Sequence, residues 1–518
     1  MLNKENVRSE FSSDNLRFKF TLVVVCVVLV ILTFGYVAYP PTHGDAAYFL
    51  PTAINFSLGH GFTNEVSSLV LHNFEKSGSF LDNTYVPGFK LFLGLILKGL
   101  SFFIIQSAWS VVFIIAILNS IAVFLMGFIF YKIFIKKYEN ISRFYLFIFI
   151  AHLLAFVGTL HIGAGRPESL ARLFLLCAII LVFYLHKTHL SFLWPLLGFL
   201  LGLMGVTQPV IAFSFGLLIS VYFGIVCTTR QAIQHIIKTY LLSFFVFYGI
   251  FILSPIGFSH GLTGIWGHFH EVIVVGFFGN LNISQWVIDF FRSYFFTPDS
   301  MFFGVILCLF SVFAFQFYSL YKSKIASQKI FLLFTVLFFI AQLYSFLFPP
   351  IHYNIVFFSP IFLGFILYYV LHMHMTSKKI VVSMIVMLLS IGFFYSVFLF
   401  PFYLKGGVSL NKARAFFNRS PIINGGGDDK IMITPNMWLL SEKYASMDLY
   451  KTINVFDKNQ RRILVLEQGN YGGSDYPLNL NQCELKEDYF AHYTPKILDF
   501  RLPNTNGYAF AVYVCQSE

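Results

Sequence analysis

WSVVFIIAILNSIAVFLMGFIFY, residues 109–131, runs for 23 residues without one charged side chain. About 20 apolar residues span the ~30 Å hydrocarbon core of a bilayer, so this stretch reads as a transmembrane helix. Runs of the same kind lie on both sides of it, at 20–39, 87–104, 144–160, 169–186, 190–206, 210–227, 240–258, 302–320, 330–348, 354–371 and 380–403. The whole 518-residue chain agrees: 57 % of it is apolar, 11 % is charged, and 68 residues are Phe. Soluble domains carry about 25 % charged residues, so a soluble multidomain enzyme would lack the polar surface to cover itself. Disorder needs low hydrophobicity and high charge and is excluded too. The expected fold class is a polytopic α-helical membrane protein.

The formal net charge of +11 is read first as orientation, because cytoplasmic loops concentrate Lys and Arg; no nucleic-acid partner is inferred from it. The run 87–104 opens with Pro87-Gly88 and carries Lys90 and Lys98, which suits a segment lying in the outer interface. With that run not crossing, sixteen cations fall inside: Lys4, Arg8, Arg17, Lys19, Lys132, Lys136, Lys137, Arg143, Lys187, Arg230, Lys238, Lys322, Lys324, Lys329, Lys378 and Lys379. Five fall outside: Lys76, Lys90, Lys98, Arg166 and Arg292. A crossing at 87–104 would turn most of the inside group outward. Eleven crossings are therefore expected, with the N-terminus cytoplasmic. The run Thr21–Tyr39 is too long for a signal-peptide core and reads as a retained first span.

An odd number of crossings exports everything after 404. The chain thus divides into a transmembrane domain, 1–404, and a soluble outer domain, 405–518, in which Asn, Asp and Gly become frequent. Lys430–Thr434, Arg462–Leu466 and Gly507–Cys515 read as strands and Trp438–Tyr444 as a helical piece, giving a small α+β domain. Cys483 and Cys515 are its only cysteines. An oxidising compartment permits a disulfide between them; two free thiols are the other reading.

The unusual polar residues gather in the outer loops. Asp45 lies just beyond the first span, where a carboxylate could take a proton from an incoming hydroxyl; it could equally cap a helix starting at Ala46. In the second loop, Arg166-Pro-Glu168-Ser-Leu-Ala-Arg172 puts three charges at the lip of a span. Ionisable groups at membrane depth point to function, yet Glu168 and Arg172 stand at i,i+4 and could simply pair along one helix face. The third loop holds His268-Phe-His270-Glu271 and Arg292. Two alternating histidines could ligate a divalent metal if a third ligand, such as His43 or His60, came from elsewhere; they could also be interfacial side chains of no special role. His352-Tyr353 follows Pro349-Pro350 at the lip of a later span, suited to a phosphate or to an aromatic belt. There is no phosphate-binding Gly-rich loop, dinucleotide fingerprint or HExxH sequence.

Taken in order, "GDAAYFLPTAINFSLGHGF" after the first span, "YVPGFKLFLGLILKGL", the outer-loop "GRPESLARLF" and the late "HYNIVFFSP" resemble the GT-C superfamily of integral-membrane glycosyltransferases. The resemblance is to the branch of protein mannosyltransferases, lipid A aminoarabinose transferases and Rgt-like lipopolysaccharide sugar transferases, and covers the organisation of residues 20–405. It implies that Asp45 is the first-loop catalytic acid and Glu168 the second-loop acidic residue. Tyr85, Pro87 and Gly88 would match the family's Tyr-x-Pro segment, and His352-Tyr353 the late position near the donor phosphate. Three departures stand out: Ala46 follows Asp45 where many members have a second acid, Gly88 replaces a second Pro, and Thr207-Gln208-Pro209 stands where several relatives carry a Lys.

The function implied is transfer of a sugar from a polyprenyl-phosphate donor to a lipid, glycan or protein acceptor. The setting is the outer face of a membrane, expected to be a bacterial inner membrane. Arg166, Arg172, His268, His270, Arg292 and His352 are the available partners for the leaving phosphate. A transporter or flippase of lipid-linked glycans is the main rival, since it too would be polytopic; it should carry polar residues near the bilayer midplane. A non-catalytic scaffold displaying the outer domain is the third reading.

Overall fold

The structure is a computed structural model. It describes residues 46–64, 80–81, 86–103, 108–130, 167–188, 193–254, 408–425, 430–433, 462–467, 483–489, 496–497, 500–501 and 508–515, together with Phe20, Val23, Val24, Thr263 and Leu440. The chain divides into two compact units, one of residues 1–29, 119–160 and 170–395, the other of 30–118, 161–169 and 396–518.

In the second unit, helix α1 (Ala46–Ser57) ends where Gly59 takes a φ of +88°. His60 N–H donates to the Asn55 carbonyl (2.9 Å) and Gly59 N–H to that of Phe56 (3.1 Å), the paired bonds of a Schellman motif, for which glycine is the cheapest residue. Asn55 Nδ2 then donates to the Thr63 carbonyl at 3.0 Å, tying the helix to β1 (Thr63–Asn64), which pairs antiparallel with β2 (Phe80–Leu81). Helix α2 (Gly88–Gly99) returns against α1. Gly94 allows the approach, because a Cβ there would lie 2.6 Å from Phe56 Cδ1 and 3.0 Å from the Ala53 carbonyl. Phe49 and Phe89 close the other end edge-to-face at 5.6 Å.

Helix α3 (Ala108–Phe130) contains the quoted stretch almost entirely. Helix α4 (Pro167–Thr188) starts on a proline, whose missing N–H costs nothing at a helix start. Helices α5 (Trp194–Thr207), α6 (Pro209–Val226) and α7 (Thr229–Phe251) form a tight group in the first unit. Between α5 and α6 only Gln208 leaves the helical region, at φ −150° and ψ 94°. α5 approaches α7 along Gly198, Gly202 and Gly205, where a Cβ would meet the Thr239 carbonyl at 2.5 Å, the Ser243 carbonyl at 2.7 Å and Phe247 at 3.1 Å. Ser220 and Tyr240 hydroxyls bond at 3.1 Å between α6 and α7, and Trp194, Phe223 and His235 stack at one end of the group. The opposite side of α7 exposes Ile233, Ile237, Leu241, Phe244 and Phe245.

Among the described residues, Trp109–Ile129 and Thr229–Phe251 are long and apolar enough to cross a membrane, and shorter apolar helices cover Ser169–Val182, Trp194–Thr207 and Ile211–Gly224. The last apolar run of this region starts earlier than expected: α7 begins at Thr229 rather than 240, so Arg230 and Lys238 ride on the helix instead of a loop. Thr228 and Gln231 have the Thr-x-x-Gln spacing of a helix start; here their side chains bond each other at 3.1 Å, and no side chain caps a backbone N–H.

The C-terminal segment contains α8 (Leu410–Phe417), α9 (Pro421–Gly425) and a sheet of β3 (Lys430–Ile433), β4 (Arg462–Glu467), β5 (Cys483–Tyr489) and β8 (Phe510–Cys515), in the order β3-β4-β8-β5. β3 runs parallel to β4; the other pairings are antiparallel. A two-stranded piece, β6 (Lys496–Ile497) with β7 (Phe500–Arg501), stands apart from it in the pairing. α8 covers the sheet through Phe416, stacked on Tyr489 at 4.6 Å, and Phe417, edge-on to Phe510. β4 and β8 are buried, and β5, with Glu484, Lys486, Glu487 and Asp488, forms a charged edge that carries a bulge at Lys486. Cys483 and Cys515, opposite each other in register, are joined by a disulfide with a Cα–Cα distance of 4.0 Å. Of the predicted helical piece Trp438–Tyr444, only Leu440 is described, within a single 3₁₀ position.

Candidate functional site

The candidate residues belong to the stretches after the first span and ahead of the 169–186 run, whose described parts are α1 and α2 and, separately, the start of α4. Asp45 immediately precedes α1 in the sequence and lies outside the described residues, as do Tyr85, Arg166, His268, His270, Arg292, His352 and Tyr353. Glu168 is the second residue of α4; its side chain is outside the described set. An acid in the first turn of a helix complements the helix dipole.

Arg172, one turn after Glu168 on the same helix, is 1 % exposed. Its neighbours along α4, Leu170, Ala171, Leu175, Leu176 and Ala178, are buried as well. A guanidinium does not lose its charge in a protein, so its burial has to be offset by the groups around it.

Sequence reasoning treated Lys90 only as an interfacial charge. In the structure it is 1 % exposed, and its Nζ lies 5.6 Å from the centroid of the Phe49 ring. An ammonium over an aromatic face gains roughly 0.5–2 kcal/mol. Lys98, at the other end of α2, is exposed in the last turn, where the helix dipole favours a cation. α2 buries Lys90 together with Phe89, Leu91, Leu93 and Leu97, and leaves Leu95 exposed, as are Phe102 and Phe103 just beyond the helix. The sequence signal was a cation three residues past a helix-starting proline, at the wrong end of the dipole.

Asn119, at the middle of α3, is 3 % exposed, and neither atom of its amide group has a hydrogen-bond partner among the described residues. Among those residues no three His, Cys, Asp or Glu side chains come together in a way that could hold a metal; His268 and His270 are not among them.

No protein-family model matches the chain, and no curated protein sequence is significantly similar to it.

Proposed function

We propose that this chain is a polytopic membrane glycosyltransferase of GT-C-like architecture, with about eleven spans, that uses a polyprenyl-phosphate sugar. The acceptor is a lipid, glycan or protein at the outer face of a bacterial inner membrane. The N-terminus is cytoplasmic and residues 405–518 lie on the exported side. The observation that carries this reading is the burial of Arg172 at the start of the long apolar stretch of a helix that begins in the second outer loop. A permanent positive charge at the lip of a span is placed to meet an anionic reactant that arrives within the membrane. α2 also fits an interfacial segment, since its 12 residues rise only about 18 Å against a core of ~30 Å.

In the proposed reaction the acceptor hydroxyl oxygen attacks the anomeric carbon of the sugar. The new carbon–oxygen bond forms as the bond to the phosphate oxygen breaks, its electron pair passing to the phosphate. The acceptor's proton goes to the Asp45 carboxylate. Single displacement inverts the anomeric carbon. Arg172 stabilises the negative charge growing on the leaving phosphate, and Glu168 assists from the same loop. No nucleotide is consumed. Tyr85, Arg166, His268, His270, Arg292, His352 and Tyr353 are the remaining candidates for holding the donor. His268 and His270 are also the candidates for a divalent metal.

The test is sugar transfer from a panel of polyprenyl-phosphate sugars in membranes, with wild type beside Asp45→Asn at matched expression. Loss of a general base costs about 10²- to 10⁴-fold. Equal turnover by the two proteins would reduce Asp45 to a helix cap. The flippase reading has one observation in its favour, the buried amide of Asn119 halfway along α3. It predicts that Asn119→Leu abolishes movement of lipid-linked glycan while no sugar is transferred by either protein.

A further inference from the structure

We infer that the exposed face of α7 binds an anionic phospholipid, with the headgroup at the Arg230 end and the acyl chains along the helix beyond it. This rests on the membrane embedding proposed above and assigns a lipid to a surface that the proposed reaction does not use.

The helix period draws the face. At about 100° per residue, Arg230, Gln234, Ile237, Lys238, Leu241 and Phe244 fall within roughly 120° of the circumference of α7, and all six are exposed. The opposite side is taken up by α5, whose Gly198 and Gly202 meet Thr239, Ser243 and Val246. Along its axis the face changes chemistry. Its first turns carry Arg230, Gln234 and Lys238, and from Leu241 onward it is apolar. Side chains lean toward the N-terminus of a helix, and a lysine stem lies readily along apolar surface. Lys238 therefore brings its ammonium back toward the Arg230 end, where the helix dipole adds partial positive charge. No acidic residue stands between Glu168 and Glu271, so α5, α6 and α7 leave this end uniformly positive. The exposed side of α3 is the contrast: Phe113, Ile117, Ile121, Phe124 and Phe128 form a stripe without a charge, which suits lipid tails and selects no headgroup. A cationic end followed by an apolar strip on one helix face matches a molecule with a negative headgroup and hydrocarbon tails. A second copy of the chain, inserted in the same direction, would set Arg230 and Lys238 against their own counterparts, and like charges repel.

The experiment measures equilibrium binding of radiolabelled phosphatidylglycerol to the full chain in detergent micelles, for wild type, the double variant Arg230→Gln/Lys238→Gln, and Lys98→Gln, with melting temperature recorded for each. Removing two cations that face an anionic headgroup predicts affinity weakened about tenfold or more in the double variant. Its melting temperature should stay level, because both side chains are exposed. Lys98→Gln, which removes an exposed lysine from α2, should bind as the wild type does. Phosphatidylcholine, with the same phosphate and tails but no net charge, should displace the probe far less readily than unlabelled phosphatidylglycerol. Unchanged affinity in the double variant overturns the assignment; if that variant does not fold, Lys238→Gln alone takes its place. An equal loss in Lys98→Gln, or equal displacement by phosphatidylcholine, also overturns it, as does crosslinking of Ile237→Cys to a second copy in vesicles. Release of the chain from membranes by alkaline carbonate removes the membrane embedding itself, whereas a chain that stays embedded and binds the probe without regard to Arg230 and Lys238 removes only this surface.

Discussion

Arg172 and Glu168 pose the sharpest question that single residues can answer. At four residues apart on α4 they could be partners and nothing more, or each could serve the reaction separately. The proposed reading predicts that Arg172→Met lowers sugar transfer in the Glu168→Gln background as well as in wild type. Contacting residues show coupling of about 0.5–3 kcal/mol in such cycles. Arg172→Met with no further loss in that background would make Arg172 a support for Glu168. The two charges were visible in GRPESLARLF, because charges at the lip of an apolar run are conspicuous. Lys90 was not, since its sequence context fits a lysine reaching out to headgroups as well as one turned inward. Only the pairing of α1 with α2 separates those cases, and that pairing depends on Gly94 and Phe49, which no local pattern announces.

Among the described helices, α5 and α7 make a close contact that tolerates no added volume. Gly198, Gly202 and Gly205 bring α5 against the backbone of α7, and any side chain at Gly202 would meet the Ser243 carbonyl and Val246. Forcing volume into a packed contact costs about 1–3 kcal/mol. Gly202→Leu should therefore lower the melting temperature of the purified chain clearly. Gly224→Ala, on α6 where a Cβ meets nothing within 4 Å, should leave it unchanged or raise it, since Gly in a helix interior costs about 0.5–1 kcal/mol relative to Ala. Similar melting of both variants would show that the glycine contact is not what holds the three helices. Sequence reading found these elements through their apolar runs and missed two kinds of boundary. The start of α7 was hidden because its first turns carry Arg230 and Lys238, although Thr228 and Gln231 held the signal. β5 was missed because CELKEDY has no apolar alternation; as an edge strand it keeps Glu484, Lys486 and Asp488 exposed, and charges on an edge are how sheets avoid pairing with other chains. The buried strands β4 and β8 were legible for the opposite reason.

The arrangement of the whole chain across the membrane rests on the distribution of lysine and arginine. Alkaline phosphatase fused after Lys137 or Lys324 should stay inactive, and fused after Asn424 it should be active, since that enzyme matures only on the exported side. The opposite pattern would turn the topology over and put Asp45, Glu168 and the outer domain in the cytoplasm, away from any exported acceptor. Composition separates residues 1–404 from the rest because Asn, Asp and Gly become frequent after 405. It did not tell which segments gather: residues 30–118 and 161–169 group with 396–518 in one unit, a grouping made by contacts far apart in the chain. The order of the outer sheet has a consequence of its own. β8 lies between β4 and β5, yet it is the last of the four strands to leave the ribosome. Until it arrives, β4 and β5 have no common neighbour, and β4 offers a bare apolar edge to whatever is near. The sheet can close only in one late step, so a pause in synthesis ahead of residue 510 leaves the apolar edge of β4 waiting unprotected.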